Sequence, residues 1–288
     1  MVKPEWLNKL YPFKSHYFKL PNDLVMHYLD EGQGAPILML HGNPTWSFYY
    51  RNLVVEFSKC NRVIVPDHIG CGLSDKPQDY DYILSHHIDN LEKLVWELGL
   101  KDIVLVVHDW GGAIGFGLLE RHPQLVRKIV ILNTAAYTST TIAAQINICR
   151  IPFLGEQVIR RLNAFALLAT SMAVEKKMTS DVKKGYLYPY DSYKNRIAIA
   201  RFVADIPMSP KHRSYETLKA IQSSLPKHQC PILILWGKRD FCFNDYFLNR
   251  WINIYPRATV RAFDCAGHYL LEDAKDEITK ELKQFLQY

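Results

Sequence analysis

Continuous apolar runs bounded by turn residues recur through the first half of the chain, at residues 37–40, 63–65, 103–107 and 129–132. Runs that do not alternate fit strands buried on both faces. Between them lie apolar residues at helical spacing, such as Leu91, Leu94, Val95 and Leu98, so the pattern predicts parallel strands joined by crossover helices. Residues 16–30 alternate instead and carry Pro21-Asn22-Asp23 as a turn, which predicts an antiparallel hairpin at a sheet edge. From about Ala136 to Lys211 no strand-like run occurs, only helical segments broken at Arg150-Ile151-Pro152 and Asp205-Ile206-Pro207. The strand pattern returns at residues 231–236 and 259–263. The expected fold class is α/β, with a mostly parallel eight-stranded sheet and flanking helices built from residues 1–135 and 212–288, and residues 136–211 inserted as a helical cap. No internal repeat or low-complexity segment is evident.

With 288 residues, 48% of them hydrophobic, the chain is long enough to bury a substantial core. No apolar run approaches the roughly 18 to 20 residues that span a bilayer, and the longest weakly polar stretch, from Leu162 to Val174, reads as a buried helix. The start, Met1-Val2-Lys3-Pro4-Glu5-Trp6, lacks the apolar core of a signal peptide. The expected location is therefore the cytoplasm, without integral membrane association. Six cysteines (Cys60, Cys71, Cys149, Cys230, Cys242, Cys265) lack C-x-x-C spacing and read as buried free thiols, neither bridges nor metal ligands. A net charge of +6 and a pI near 8.9 are mild. The basic residues are spread among acids, which argues against nucleic-acid binding and leaves weak attraction to an anionic membrane surface open.

The chemistry concentrates at Leu105-Val106-Val107-His108-Asp109-Trp110-Gly111-Gly112, where an apolar run breaks at an acid and resumes through two glycines. A strand turning sharply into a helix there holds Asp109 at the tip of the turn. An Asp before Trp-Gly-Gly also suits a mere helix cap, so the weight rests on the rest of the site. A carboxylate is already ionised near neutral pH and can attack carbon without a base, leaving an ester on the protein. Further along, the strand-like run 231–236 ends in Gly237-Lys238-Arg239-Asp240, and the run 259–263 leads to Asp264-Cys265-Ala266-Gly267-His268. The order nucleophile Asp109, acid Asp240, base His268 is that of a nucleophile-elbow hydrolase with Asp in place of Ser. Asp240 would hold the imidazole tautomer while His268 takes a proton from water. Asp264 and Asp245 rank below Asp240 as the acid. Leu40-His41-Gly42-Asn43-Pro44-Thr45-Trp46 follows a strand directly, so a backbone N–H from this loop and that of Trp110 can form an oxyanion hole. The Asn43 amide and Trp110 indole add uncharged donors suited to a departing anion.

Other motifs carry less. The stretch from Asp67 to Asp75 fails the dinucleotide fingerprint because Asp75 replaces the third glycine, and reads as a turn supporting the elbow. His86-His87 lacks metal partners and H-E-x-x-H is absent, so no metal and no cofactor is expected. His108 reads as a packing or loop-bonding residue.

Together, His41-Gly42-Asn43-Pro44-Thr45-Trp46, His108-Asp109-Trp110-Gly111-Gly112, Trp236-Gly237-Lys238-Arg239-Asp240 and Gly267-His268 resemble the haloalkane dehalogenase family of the α/β-hydrolase fold, over essentially the whole chain. The resemblance implies that Asp109 displaces halide, that Asn43 and Trp110 hold it, and that His268 with Asp240 drives hydrolysis of the alkyl ester. One branch of that family places its acid where this chain has Asn133, which cannot fill the role. The stretch from Pro66 to Pro77, Leu132-Asn133-Thr134-Ala135-Ala136, the stretch from Gly185 to Ser192, and Asp240-Phe241-Cys242-Phe243 are similar to one dehalogenase branch. They are similar also to the β-lactone decarboxylases of bacterial olefin biosynthesis, in which the same Asp opens a long-chain β-lactone that loses CO₂.

Hydrolytic cleavage of carbon–halogen bonds in haloalkanes is the leading expectation, with decarboxylation of a β-lactone to a cis-alkene as the alternative. The partner expected is a small hydrophobic substrate, joined by other olefin-pathway enzymes if the alternative holds. Epoxide hydrolysis, which would use cap tyrosines such as Tyr186, Tyr188, Tyr190 and Tyr193, ranks lower, as does a non-catalytic receptor for apolar ligands. A subset of Phe153, Leu154, Phe165, Leu167, Leu168, Met172, Phe202 and Met208 is expected to line the substrate tunnel.

Overall fold

The computed structural model describes residues 3–287, so Met1 and Val2 of the polar start, and Tyr288, lie outside the described residues. The strands are β1 His16–Lys19, β2 Val25–Glu31, β3 Pro36–Leu40, β4 Arg62–Pro66, β5 Ile103–His108, β6 Val126–Leu132, β7 Ile232–Gly237 and β8 Thr259–Phe263. They form one sheet in the order β1-β2-β4-β3-β5-β6-β7-β8. β1 and β2 are the expected antiparallel edge hairpin, β2 also runs antiparallel to β4, and every later pairing is parallel.

The unbroken apolar runs have a simple origin. Side chains of a strand alternate between faces, and both faces of this sheet are covered. On β3 and β5, Ile37, Met39, Val104 and Val106 enter one core, while Leu38, Leu40, Leu105 and Val107 enter the other. Each such burial is worth roughly 1.5–3 kcal/mol. At the far edge β8 is largely exposed.

Between β6 and β7 the chain is helical, with segments Ala144–Cys149, Leu154–Leu162, Ala164–Met172, Ser180–Leu187, Ile197–Ala204 and Tyr215–Ser224. Two expectations are corrected. The stretch from Leu162 to Val174 is not a buried helix, since Leu162, Leu167, Leu168 and Met172 are 43–65% exposed. Its apolar composition reflects an outward face that hydropathy alone cannot orient. All six cysteines are free, but Cys60 and Cys265 are exposed and only Cys71 is buried. Among the described residues no helix is long and apolar enough to cross a membrane.

The chain steps from β3 to β4 on one side and returns to β5 on the other, so the strand order reverses between β3 and β5. Open parallel sheets bind ligands beyond the carboxyl ends of the strands at such a reversal. His41 to Asn43 and Asp109 stand at those ends.

Candidate active site

β5 ends at His108, Asp109 takes φ 50° and ψ −126°, and the helix Trp110–Arg121 starts at the next residue. A non-glycine residue in such backbone costs of order 1–3 kcal/mol and persists only when its surroundings fix it. Here the Asp109 N–H donates to the Asn133 carbonyl at 3.2 Å and the Gly112 N–H donates to the Asp109 carbonyl at 2.9 Å. The Thr134 hydroxyl donates to that same carbonyl. Close packing dictates the glycine after Trp110, because a Cβ on Gly111 would lie 2.1 Å from the Leu40 carbonyl oxygen.

Asp109 Oδ1 accepts the Asn43 backbone N–H at 2.6 Å, and the Trp110 backbone N–H bonds to the same carboxylate. The two N–H groups expected to form an oxyanion hole thus hold the carboxylate itself. That is the right place if Asp109 is esterified, because the oxyanion of ester hydrolysis is then its own Oδ1. Oδ2 is left facing His268 Nε2 at 3.8 Å. Burial raises the Asp109 pKa, against the opposing pull of His268 and the two N–H donors.

β7 delivers Asp240 and β8 delivers His268, each past its carboxyl end. His268 Nδ1 meets Asp240 Oδ2 at 2.8 Å, so neutral His268 points its Nε2 lone pair toward Asp109. Asp240 Oδ1 accepts the N–H groups of Cys242 at 2.7 Å and Phe243 at 3.1 Å. Asn133 completes the acid's shell, donating to Asp240 Oδ2 at 2.9 Å and to the Gly237 carbonyl at 3.0 Å while accepting the Gly237 N–H at 2.7 Å. On His268 burial favours the neutral ring, but the charge and hydrogen bond of Asp240, joined by Asp109, overcome it and raise the pKa above 6.5. Asp245 pairs instead with Lys238, and Asp264 is exposed.

The remaining donors differ in availability. Asn43 Nδ2 spends one N–H on the Ile199 carbonyl at 3.1 Å, and its Oδ1 is buried without a partner. Trp110 lines the cavity above Asp109, packed on Phe202 at 5.2 Å, and its indole N–H bonds to no described residue. The cavity measures about 440 Å³. Its floor holds Asn43, Asp109, Trp110 and His268, and its walls are overwhelmingly apolar. Of the apolar residues expected there, Phe165, Leu168, Met172 and Met208 line it. Phe153, Leu154 and Leu167 point outward, and Phe202 is buried behind Trp110.

Tyr186 donates to Glu272 and Tyr190 to the Thr45 carbonyl; neither these nor Tyr188 and Tyr193 line the cavity. Among the described residues no cluster of His, Cys, Asp and Glu could hold a metal. The stretch after Asp67 braces the oxyanion loop: Asp67 accepts the Ser47 and Leu73 N–H groups, and the His68 ring meets the His41 carbonyl at 3.0 Å. The His108 ring bonds the loop as expected, meeting the His268 carbonyl at 2.9 Å, but sequence reasoning missed the positioning roles of Thr134 and Asn133. Their placement just past or at the end of core strands was the available signal.

A family model described as alpha/beta hydrolase fold matches residues 35–275. The chain is 46% identical to a cis-3-alkyl-4-alkyloxetan-2-one decarboxylase of Shewanella oneidensis, covering 97% of this chain and 90% of that protein. It is 42% identical to a protein of the same description from Xanthomonas campestris pv. campestris, with 96% and 97% covered. Among solved structures, the haloalkane dehalogenase DbeA from Bradyrhizobium elkani superposes with a TM-score of 0.87 at 26% identity, covering 95% of this chain and 97% of that one.

Proposed function

Because the chain belongs to the alpha/beta hydrolase fold family, on the branch shared by haloalkane dehalogenases and cis-3-alkyl-4-alkyloxetan-2-one decarboxylases, we propose that it decarboxylates cis-3,4-dialkyl β-lactones to cis-alkenes through Asp109. The observation that carries the reading is the Asp109 carboxylate on the floor of an apolar cavity, in a chain whose full-length resemblance to two such decarboxylases exceeds its likeness to the dehalogenase structure. Haloalkane hydrolysis, the leading expectation from the motifs, becomes the second reading.

Both substrates call for the same first step, displacement at a saturated carbon. Asp109 Oδ2 attacks ring carbon C4, the C4–O bond breaks, and the ring opens to a carboxylate on C3. The Trp110 indole and the uncommitted N–H of Asn43 face this anion as they would a halide. The electron pair of the C3–CO₂ bond then forms the C3=C4 double bond while C4–Oδ2 breaks, releasing CO₂ and restoring the Asp109 carboxylate. Atoms and charge balance without water or a proton. Inversion at C4 followed by anti departure converts a cis lactone into a cis alkene. The N–H groups of Asn43 and Trp110 that hold the carboxylate stabilise Asp109 as it leaves.

The test is product analysis by NMR after the purified protein is given a 1-iodoalkane and a cis-dialkyl β-lactone separately, each with an Asp109→Ala control. Alkene and CO₂ from the lactone, absent in the variant, are expected. Alcohol and iodide from the haloalkane with the lactone untouched would move the assignment to dehalogenation. Retained turnover in Asp109→Ala would overturn the nucleophile.

A further inference from the structure

Eight of the thirteen exposed large hydrophobic side chains among the described residues fall within residues 148–172, a concentration that scattered surface apolar residues do not produce. On the helix Leu154–Leu162 the exposed positions Leu154, Arg161 and Leu162 share one face, and on Ala164–Met172 the exposed positions Leu167, Leu168, Ser171 and Met172 share another. Phe153, at the turn into the first of these helices, is 80% exposed and takes φ 63°. A strained backbone that holds an aromatic ring out in water is unfavourable twice over for a side chain with no partner.

This face is continuous with the catalytic cavity. Ile148, Leu168 and Met172 line the cavity and are also 63%, 56% and 43% exposed, so the cavity reaches the surface among them. The surrounding charge has one sign in excess: apart from Arg160, which is buried and paired with Glu156, residues 148–184 carry six Lys or Arg (150, 161, 176, 177, 183, 184) against two acids (175, 181). An apolar face with a basic margin matches a bilayer of anionic lipids, whose interface accepts the apolar side chains and whose headgroups attract the cations.

We propose that this face docks on an anionic phospholipid bilayer, with Phe153 and the outer faces of the two helices inserted at the interface and the cavity mouth opening toward the lipid. Apolar substrate then enters along a continuous apolar path. The inference rests on the surface and the mouth, and holds whichever leaving group the site expels.

Flotation of the whole protein with vesicles of phosphatidylglycerol and phosphatidylethanolamine, against phosphatidylcholine vesicles, reads the docking. The comparison variants are Phe153→Gly with Leu162→Gln, and Arg161→Glu with Lys177→Glu, none of them lining the cavity. Wild type is expected to float with the anionic vesicles and less with the neutral ones. Each double variant is expected to lose at least fivefold in bound fraction while its melting transition and turnover of a short, water-soluble cis-β-lactone stay at wild-type levels. Wild type that stays unbound, or variants that bind equally, overturn the proposal. So does light scattering that shows wild type self-associating through this face, with the variants monomeric and no vesicle bound. Vesicle binding without lactone turnover would uphold the docking and overturn the substrate.

Discussion

As the proposed nucleophile, Asp109 has to be held firmly by one oxygen and left reactive at the other, and the geometry divides it that way: Oδ1 takes the Asn43 N–H while Oδ2 faces His268. The titration of the two partners separates the candidate reactions. Asp109 sits above its ordinary 3.8 because burial disfavours its charge, so nucleophilic attack is lost on acidification at a pH above the usual carboxylate range. His268 is raised above 6.5 against burial by Asp240 and Asp109, so a step that needs neutral imidazole fails below that raised value. Lactone decarboxylation is therefore expected to show a single acid limb in kcat/KM, set by Asp109, and no loss as His268 becomes protonated. A haloalkane carried by the same protein would lose its hydrolytic half-reaction first, detectable as accumulated alkyl-enzyme in the mass of the intact chain. Asn133→Asp removes both donors and sets a second carboxylate against buried Asp240. We expect destabilisation of about 3 kcal/mol in urea unfolding and at least a tenfold loss of turnover. The convergence of Asp109, Asp240 and His268 was legible in the sequence because each follows a strand-like run in the order such a site requires. The two-way role of Asn133 was not, because it depends on the lateral pairing of β6 and β7, which no local pattern encodes.

Elements position these residues through close contacts as much as through hydrogen bonds. At the crossing of β3 and the elbow helix, Gly111→Ala would drive a Cβ against backbone, with no flexible side chain able to yield. A loss of about 2–3 kcal/mol in chemical unfolding is expected, with turnover falling further than stability. Asp205, which follows the helix Ile197–Ala204, accepts the Leu84 N–H at 2.9 Å and the Ser214 hydroxyl at 2.7 Å. It thereby ties the end of the inserted helices to the start of the helix Leu84–Glu97. Burial raises its pKa from 3.8 to about 6. The folded state therefore binds this proton more tightly, and the associated stability is full below the unfolded value near pH 4 and lost as pH rises through about 6. Asp205→Asn should flatten the decline of melting temperature across that window; an unchanged slope would assign the decline to other groups. The central strands β3 to β7 were legible because a run buried on both faces is unmistakable, and the β1–β2 hairpin because it alternates around a turn. The helix Ala164–Met172 was misread because hydropathy reports that a face is apolar and is silent on what covers it.

At the scale of the whole molecule, the reversal of strand order between β3 and β5 brings the Asn43 loop and the Asp109 elbow together, and the inserted helices roof them with apolar side chains. The resulting chamber sets a carboxylate among apolar walls, and the proposed decarboxylation consumes no water there. Two chemistries diverge there by one event. An alkyl ester on Asp109 is either cut by water at the Asp109 carboxyl carbon or broken at C4–Oδ2, which frees the Asp109 carboxylate intact as CO₂ departs. Multiple turnovers of a cis-dialkyl β-lactone in H₂¹⁸O, followed by mass analysis of the peptide that holds Asp109, distinguish them directly. Decarboxylation predicts cis-alkene, CO₂ and an unlabelled Asp109 carboxyl group. Heavy oxygen in the Asp109 carboxyl group, with a hydroxy acid in place of alkene, would contradict it.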